Sequence, residues 1–244
     1  TKALYIETPS NPMMEITDLS ACAELAKEHN LLMITDNTFL SPYLQNPIAL
    51  GADIVIHSAS KFLCGHNDTI AGFVCSAKEE LAAKIRLIAK TTGGCLSPFD
   101  SWLVMRGIKT LAVRMERQQE NAGNIARWLT EQKKVRKVYY AGLETHPGYE
   151  INAKQARGAG AMISFDVDSV ETAQRVLEKV RVITFAESLG GTESLITYPM
   201  KQTHPDVPKE WREKLGITDT LLRLSVGLEH VDELIADLEQ AFVS

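Results

Sequence analysis

Asp53-Ile54-Val55-Ile56-His57-Ser58-Ala59-Ser60-Lys61-Phe62 is the stretch on which the fold turns. An apolar, β-branched run between polar residues reads as a buried strand. Its end carries one lysine flanked by two hydroxyls, so Lys61 emerges at the edge of a core. Upstream, Leu31-Leu32-Met33-Ile34-Thr35-Asp36 is a second apolar run that also closes on a single charge. Taken singly, Lys61 reads as a surface lysine and Asp36 as a turn residue before Asn37. Taken together they are more telling, because both end buried runs on the same side of a sheet.

The first half of the chain alternates between strand and helix patterns. Strands are predicted at Ala3–Glu7, Leu31–Asp36, Asp53–His57 and Ile70–Ser76. Helices are predicted at Asp18–Asn30, with Leu19, Cys22, Ala23, Leu25 and Ala26 on one stripe and Thr17 or Asp18 as cap, and at Lys78–Lys90; Pro47–Gly51 is a helical turn. This alternation predicts an α/β fold with a mostly parallel sheet and helices on both faces. Ligands of such sheets bind outside the carboxyl ends of the strands, where Asp36 and Lys61 lie.

From Pro98 to Lys133 the pattern is helical, with a break expected at Gly107. Beyond it come strands at Val135–Tyr139, Ala161–Val167, Val182–Ala186, Leu195–Tyr198 and Leu221–Val226, and helices at Val170–Val180, Lys209–Leu215 and Val231–Phe242. Loops separate these strands as often as helices do, which predicts a smaller α+β domain with a partly antiparallel sheet. The expected division is 1–107 and 108–244, joined through the long helix.

A lysine and an aspartate in these positions are what a pyridoxal phosphate site needs. The lysine amine, desolvated at a strand end, forms a Schiff base, and the carboxylate partners the pyridinium nitrogen. Ser58 and Ser60 alternate around Ala59, so an extended segment turns both hydroxyls one way, toward a phosphate. Asn11, in the proline-restricted loop Glu7-Thr8-Pro9-Ser10-Asn11-Pro12, either bonds a ring hydroxyl of the cofactor or forms a plain Asn-Pro turn. Arg223 stands alone inside Leu221-Leu222-Arg223-Leu224, where its fork needs a partner; a substrate carboxylate and an internal salt bridge both qualify. Glu187-Ser188-Leu189-Gly190-Gly191 is a loop whose glycines let backbone approach a ligand. His66 and Asp68 lack a third ligand at metal spacing, so Gly65-His66-Asn67-Asp68 is read as loop-ordering and no metal is expected.

Composition narrows the class. Of 244 residues, 45% are hydrophobic and 23% charged, an ordinary globular balance. The net charge of -5 argues against nucleic acid as a partner. Cys22, Cys64, Cys75 and Cys95 form no CxxC pair and read as reduced thiols of a cytoplasmic protein. No apolar run approaches a membrane span. Thr1-Lys2-Ala3-Leu4-Tyr5-Ile6 begins as a core strand without a lead-in, so the numbered chain is expected to lack an N-terminal part.

The chain resembles the Cys/Met-metabolism pyridoxal phosphate enzymes: cystathionine γ-synthase, cystathionine β- and γ-lyases and methionine γ-lyase. The marks are Glu7–Pro12, Asp36-Asn37-Thr38-Phe39, Ser58–Phe62 with Gly65-His66, Ser97-Pro98-Phe99-Asp100 with Arg106-Gly107, Glu187–Gly191, and Leu222–Glu229. The resemblance implies the fold-type I architecture and a homotetramer built as a dimer of dimers. It implies Lys61 as the Schiff-base lysine and proton shuttle, Asp36 on the pyridine nitrogen, Ser58 and Ser60 on the phosphate and Asn11 on the ring hydroxyl. Arg223 and Ser188 are implied on the substrate carboxylate, and Glu187 near the distal amino group of cystathionine. Ser60 departs from the threonine frequent in the family but keeps the hydroxyl. Family members also carry a segment upstream of the position of Thr1, with a glycine-containing phosphate turn, a ring-stacking tyrosine and residues that complete a neighbour's site. The implied activity is a carbon–sulfur lyase of transsulfuration, cleaving cystathionine or a related thioether amino acid by β- or γ-elimination. The alternatives are γ-replacement, of the cystathionine γ-synthase or O-acylhomoserine sulfhydrylase type, and a catalytically silent fragment that keeps the fold.

Overall fold

In the computed structural model, which describes residues 1–203 and 205–243, two sheets are formed. Strands β1 (Ala3–Glu7), β2 (Leu32–Asp36) and β3 (Ile54–Ser58) run parallel, and β4 (Gly72–Cys75) adds an antiparallel edge beside β3. Glu7 pairs with Asp36 and Asp36 with Ile56. Because strand side chains alternate, Glu7, Asp36, Ile56 and Ser58 share one face at the carboxyl end. Helix α1 (Leu19–Glu28) covers the other face, burying Leu19 and Ala26 with Met33 and Val55. Asp18 caps it, accepting from the Ala21 N–H at 3.0 Å. Leu25, predicted on the buried stripe, is exposed. Six residues after Leu19, the helical step carries it about 120° off that stripe.

The second sheet has the order β5-β6-β9-β8-β7, from β5 (Val135–Tyr139), β6 (Met162–Val167), β9 (Leu221–Ser225), β8 (Leu195–Thr197) and β7 (Thr184–Phe185). All its pairings are antiparallel except β7 with β8. Every residue of the central strand β9 is buried. The strand expected over Val182–Ala186 shrinks to two residues because the Arg181, Val182 and Ile183 N–H groups donate to the Asp237 carboxylate at 2.8–3.0 Å. Those donors are thereby withdrawn from strand pairing.

The long predicted helix is two, α4 (Pro98–Ile108) and α5 (Leu111–Thr130), parted at Lys109 and Thr110. Gly107 lies inside α4 and does not break it. A Cβ there would sit 2.1 Å from the Cys64 carbonyl oxygen, so the glycine permits a close crossing. α5 is the central support of the second sheet: its Met115, Ile125 and Leu129 join Ile163, Phe165, Leu222 and Leu224 in the main core, with Leu234 and Leu238 of α9 (Val231–Val243). The remaining helices are α2 (Ser41–Leu44), α3 (Glu79–Thr92), α6 (Tyr149–Gln155), α7 (Val170–Lys179) and α8 (Lys209–Leu215). Neither α2 nor α6 is anticipated by the sequence reading, since one is a single turn and neither has two turns of periodic pattern.

Candidate active site

Lys61 sits in a helical turn directly after β3. Its N–H donates to the Ser58 carbonyl at 3.2 Å, and its carbonyl accepts from the Gly65 N–H at 2.7 Å. The segment is therefore not extended past Ser58, and the expected alternation of the Ser58 and Ser60 hydroxyls does not hold. Ser58 stays on the Asp36 face, its N–H donating to Thr38 Oγ1 at 2.8 Å. The Ser60 hydroxyl accepts from the Ala71 N–H at 2.9 Å and faces the Ala71 carbonyl at 3.3 Å. To donate to a phosphate it has to turn from that carbonyl.

Asp36 is half-buried at the end of β2, with Oδ1 accepting from the Thr38 N–H at 2.9 Å. Beside it, burial first and the Asp36 carboxylate second push the Glu7 carboxyl up to about 7, against the opposing pull of Arg223. Glu7 as a residue remains exposed at the strand end. Burial lowers the Lys61 ammonium below the ordinary lysine range, and the Arg223 charge lowers it further, while Glu187 acts the other way. That environment suits a neutral amine.

Arg223 is 1% exposed in the middle of β9. Nη1 donates to Asn11 Oδ1 at 2.9 Å, and Nη2 to the Glu187 carbonyl at 2.7 Å and Thr197 Oγ1 at 3.1 Å. Its Nε is buried without a partner. Burial brings its pKa down to about 10, against the raising effect of Glu187 and Glu7. The Asn11 loop is held against the second sheet by the Ser164 hydroxyl, which donates to the Pro12 carbonyl at 2.6 Å.

The 187–191 loop reaches the same place. The Glu187 side chain is exposed, while the half-buried Ser188 hydroxyl lies 3.4 Å from Asn67 Oδ1. Gly190 has φ +78, and a Cβ there would stand 2.7 Å from the Phe62 nitrogen, so the loop rests directly on the Lys61 turn. Asn67 Nδ2 also donates to Glu193 at 3.0 Å, and His66 Nδ1 lies 2.7 Å from the Cys64 carbonyl, in keeping with a loop-ordering role.

Lys61, Asp36, Ser58 and Asn11 thus cluster at the carboxyl edge of the first sheet, with Arg223, Ser188 and Glu187 reaching it from the second. Thr197 and Glu7 were missed as site residues. Thr197 pairs with Arg223 across β8 and β9, which only the register reveals. Glu7 ends a strand on a lone charge, the same signal that marks Asp36. A cavity of about 910 Å³ between Tyr43, α5 and Tyr140 shares none of these residues, so polar geometry and not cavity volume marks the site. The residues fit pyridoxal phosphate with an amino-acid substrate: a desolvated amine, a carboxylate at a strand end, and a buried guanidinium whose Nε has no partner.

A sequence model described as Cys/Met metabolism PLP-dependent enzyme matches residues 1–243. The chain is 51% identical over 241 residues to cystathionine beta-lyase of Lactococcus lactis subsp. cremoris (strain MG1363), covering 99% of this chain and 63% of that protein. It is 49% identical over 244 residues to cystathionine gamma-synthase of Haemophilus influenzae (strain ATCC 51907 / DSM 11121 / KW20 / Rd), covering 100% of this chain and 62% of that protein. Among solved structures, cystathionine gamma-lyase from Lactobacillus plantarum complexed with L-serine superposes with a TM-score of 0.97 at 48% identity, covering 100% of this chain and 64% of that one. The chain therefore spans less than two thirds of the length of these relatives.

Proposed function

The chain belongs to the Cys/Met metabolism PLP-dependent enzymes, and on that premise we propose that the complete protein is a carbon–sulfur lyase of transsulfuration, cleaving cystathionine or a related thioether amino acid by β- or γ-elimination. Arg223 carries this reading. A buried guanidinium, tied to Asn11 and left with an unpartnered Nε, is an anchor for an α-carboxylate.

When bound, pyridoxal phosphate supplies an aldehyde for the amine and a ring that withdraws electrons from the substrate α-carbon. Lys61 would hold the aldehyde, and its amine would carry protons between the α-carbon, the β-carbon and the leaving group. Asp36 keeps negative charge where a pyridinium nitrogen needs it. Asn11 receives the ring hydroxyl, and Ser58 with Ser60 the phosphate. Arg223 and Ser188 orient the carboxylate, and Glu187, exposed at the entrance, meets the distal amino group. β-Elimination with water yields homocysteine, pyruvate and ammonia; γ-elimination yields cysteine, 2-oxobutyrate and ammonia.

The γ-synthase among the relatives, 49% identical over 244 residues, supports γ-replacement as a second reading. The reading also takes 1–107 and 108–244 as the domain division, and a homotetramer as the assembly. Phe99, Trp102 and Met105 of α4, each more than half exposed, favour a covered face there. Free thiols at all four cysteines and the absence of a membrane-spanning helix among the described residues favour the cytoplasm.

Product analysis of the complete protein with cystathionine tests this. A 2-oxo acid with stoichiometric ammonia is expected. Cystathionine formation from cysteine and an acylated homoserine that outpaces cleavage would favour replacement. Neither activity in protein carrying stoichiometric cofactor would refute both.

A further inference from the structure

The buried face of α5 carries three polar side chains, Arg114, Gln118 and Asn121, at a helical spacing that aligns them. Their exposures are 3%, 0% and 0%. Arg114 Nη1 donates to the Phe62 carbonyl at 2.8 Å, and Nη2 to the Leu63 and Gly107 carbonyls at 3.3 and 2.9 Å. Its Nε donates to Thr110 Oγ1 at 3.1 Å. Gln118 Nε2 donates to the Gly191 and Val226 carbonyls at 2.7 and 3.0 Å. Asn121 Nδ2 donates to the Gly227 and Glu229 carbonyls at 3.1 and 2.9 Å.

These carbonyls belong to four segments: the turn just after Lys61, α4 at Gly107, the loop just after Ser188, and the chain just after Arg223. Burying a guanidinium among carbonyls, without a carboxylate, is costly, and an apolar side chain would avoid the cost. Only a planar fork of donors reaches three separate carbonyls. Gly65 matches this arrangement: it has φ +77, and a Cβ there would stand 2.2 Å from Arg114 Nη1, so the turn closes onto the guanidinium.

We propose that this polar row is a positioning device in which Arg114 sets the Lys61 amine while Gln118 and Asn121 set the Ser188 loop and the end of the Arg223 strand, so that one helix face fixes the amine relative to the carboxylate anchor. The proposal rests on the roles given above to Lys61 and Arg223.

The test uses the complete protein as Arg114→Lys, Thr110→Val and Gln118→Met. Four quantities are read: the pH profile of Lys61 acylation in cofactor-free protein by mass spectrometry, affinity for pyridoxal phosphate, KM with cystathionine, and Tm. Arg114→Lys is expected to move the Lys61 profile toward that of free lysine, as a loosened turn admits water, and to weaken cofactor affinity about tenfold; a misplacement near 1 Å can cost more. Thr110→Val, which removes the bond to Nε and the hydroxyl's own bond to the Gly107 carbonyl but leaves the guanidinium in place, is expected to shift both in the same direction by less, and decides the matter if Arg114→Lys does not fold. Gln118→Met is expected to raise KM about tenfold with the Lys61 profile unchanged. Folded variants with lowered Tm but wild-type Lys61 profile, cofactor affinity and KM would overturn the proposal. Wild-type protein that binds no pyridoxal phosphate would refute the lyase reading, and the Lys61 profile would still judge the row.

Discussion

Arg223 Nη1 donates to Asn11 Oδ1 at 2.9 Å across 212 residues of chain. The bond joins the loop after the first strand of one sheet to the central strand of the other. The side chain proposed for the cofactor ring and the one proposed for the substrate carboxylate are thus bonded to each other directly.

Asn11→Ala leaves a buried guanidinium donor without its acceptor. The loss is expected at about 1–3 kcal/mol, the cost of an unsatisfied buried group. Urea unfolding at neutral pH measures it, and an unchanged midpoint would contradict the pairing.

Arg223→Lys keeps a cation but cannot reach Asn11, the Glu187 carbonyl and Thr197 together. A fall in kcat/KM of at least about a hundredfold is expected, near 2.7 kcal/mol at 1.36 kcal/mol per tenfold. Steady-state kinetics with cystathionine read it, and a loss below threefold would remove Arg223 as the anchor.

Lys61 in cofactor-free protein should acylate at lower pH than the exposed lysines, because burial and Arg223 both disfavour its charged form. Glu187 opposes that effect, so Glu187→Gln should move the Lys61 profile lower still. Competitive labelling across a pH series decides this; a Lys61 profile matching the surface lysines would argue against a desolvated amine.

The Glu7 carboxyl titrates near 7 in the folded chain and near the ordinary glutamate value when unfolded. Between those values the folded state holds the extra proton, so this group makes stability fall as pH rises through the window. Glu7→Gln removes that slope. The wild-type-minus-variant difference in unfolding free energy should decline from about pH 4.5 to pH 7 and then level off. A flat difference across that range would refute the shift.

Gly190→Ala forces a side chain into a left-handed conformation, costing roughly 1–2 kcal/mol before any clash. It also drives a Cβ against the Phe62 nitrogen. Lower Tm and raised KM are expected together, as the loop lifts off the Lys61 turn; a wild-type KM would separate the loop from substrate binding.

Much of this was legible in sequence because periodicity and strand ends are local signals. The parallel strands ending at Asp36 and before Lys61, the antiparallel second sheet and Arg223 inside a buried strand all follow from apolar runs and the single charges within or closing them. The failures share one cause. The Ser60 hydroxyl is expected beside that of Ser58 on the premise of an extended segment, whereas a turn pairs it with Ala71. Gly107 was read as a break because its close neighbour, the Cys64 carbonyl, is distant in sequence. The strand before Ala186 lost residues to Asp237, more than fifty positions away.

The sequence by itself determined which strands form and which single charges close or interrupt them, since residue type and alternation act over a few neighbours. Only the tertiary structure decided who satisfies whom. Arg223 finds Asn11 and no ion pair among the described residues, Gly190 rests on the Lys61 turn, and α5 collects carbonyls from four segments. Hydrogen bonds and close contacts reward proximity in space, and that proximity exists only once the sheets have packed.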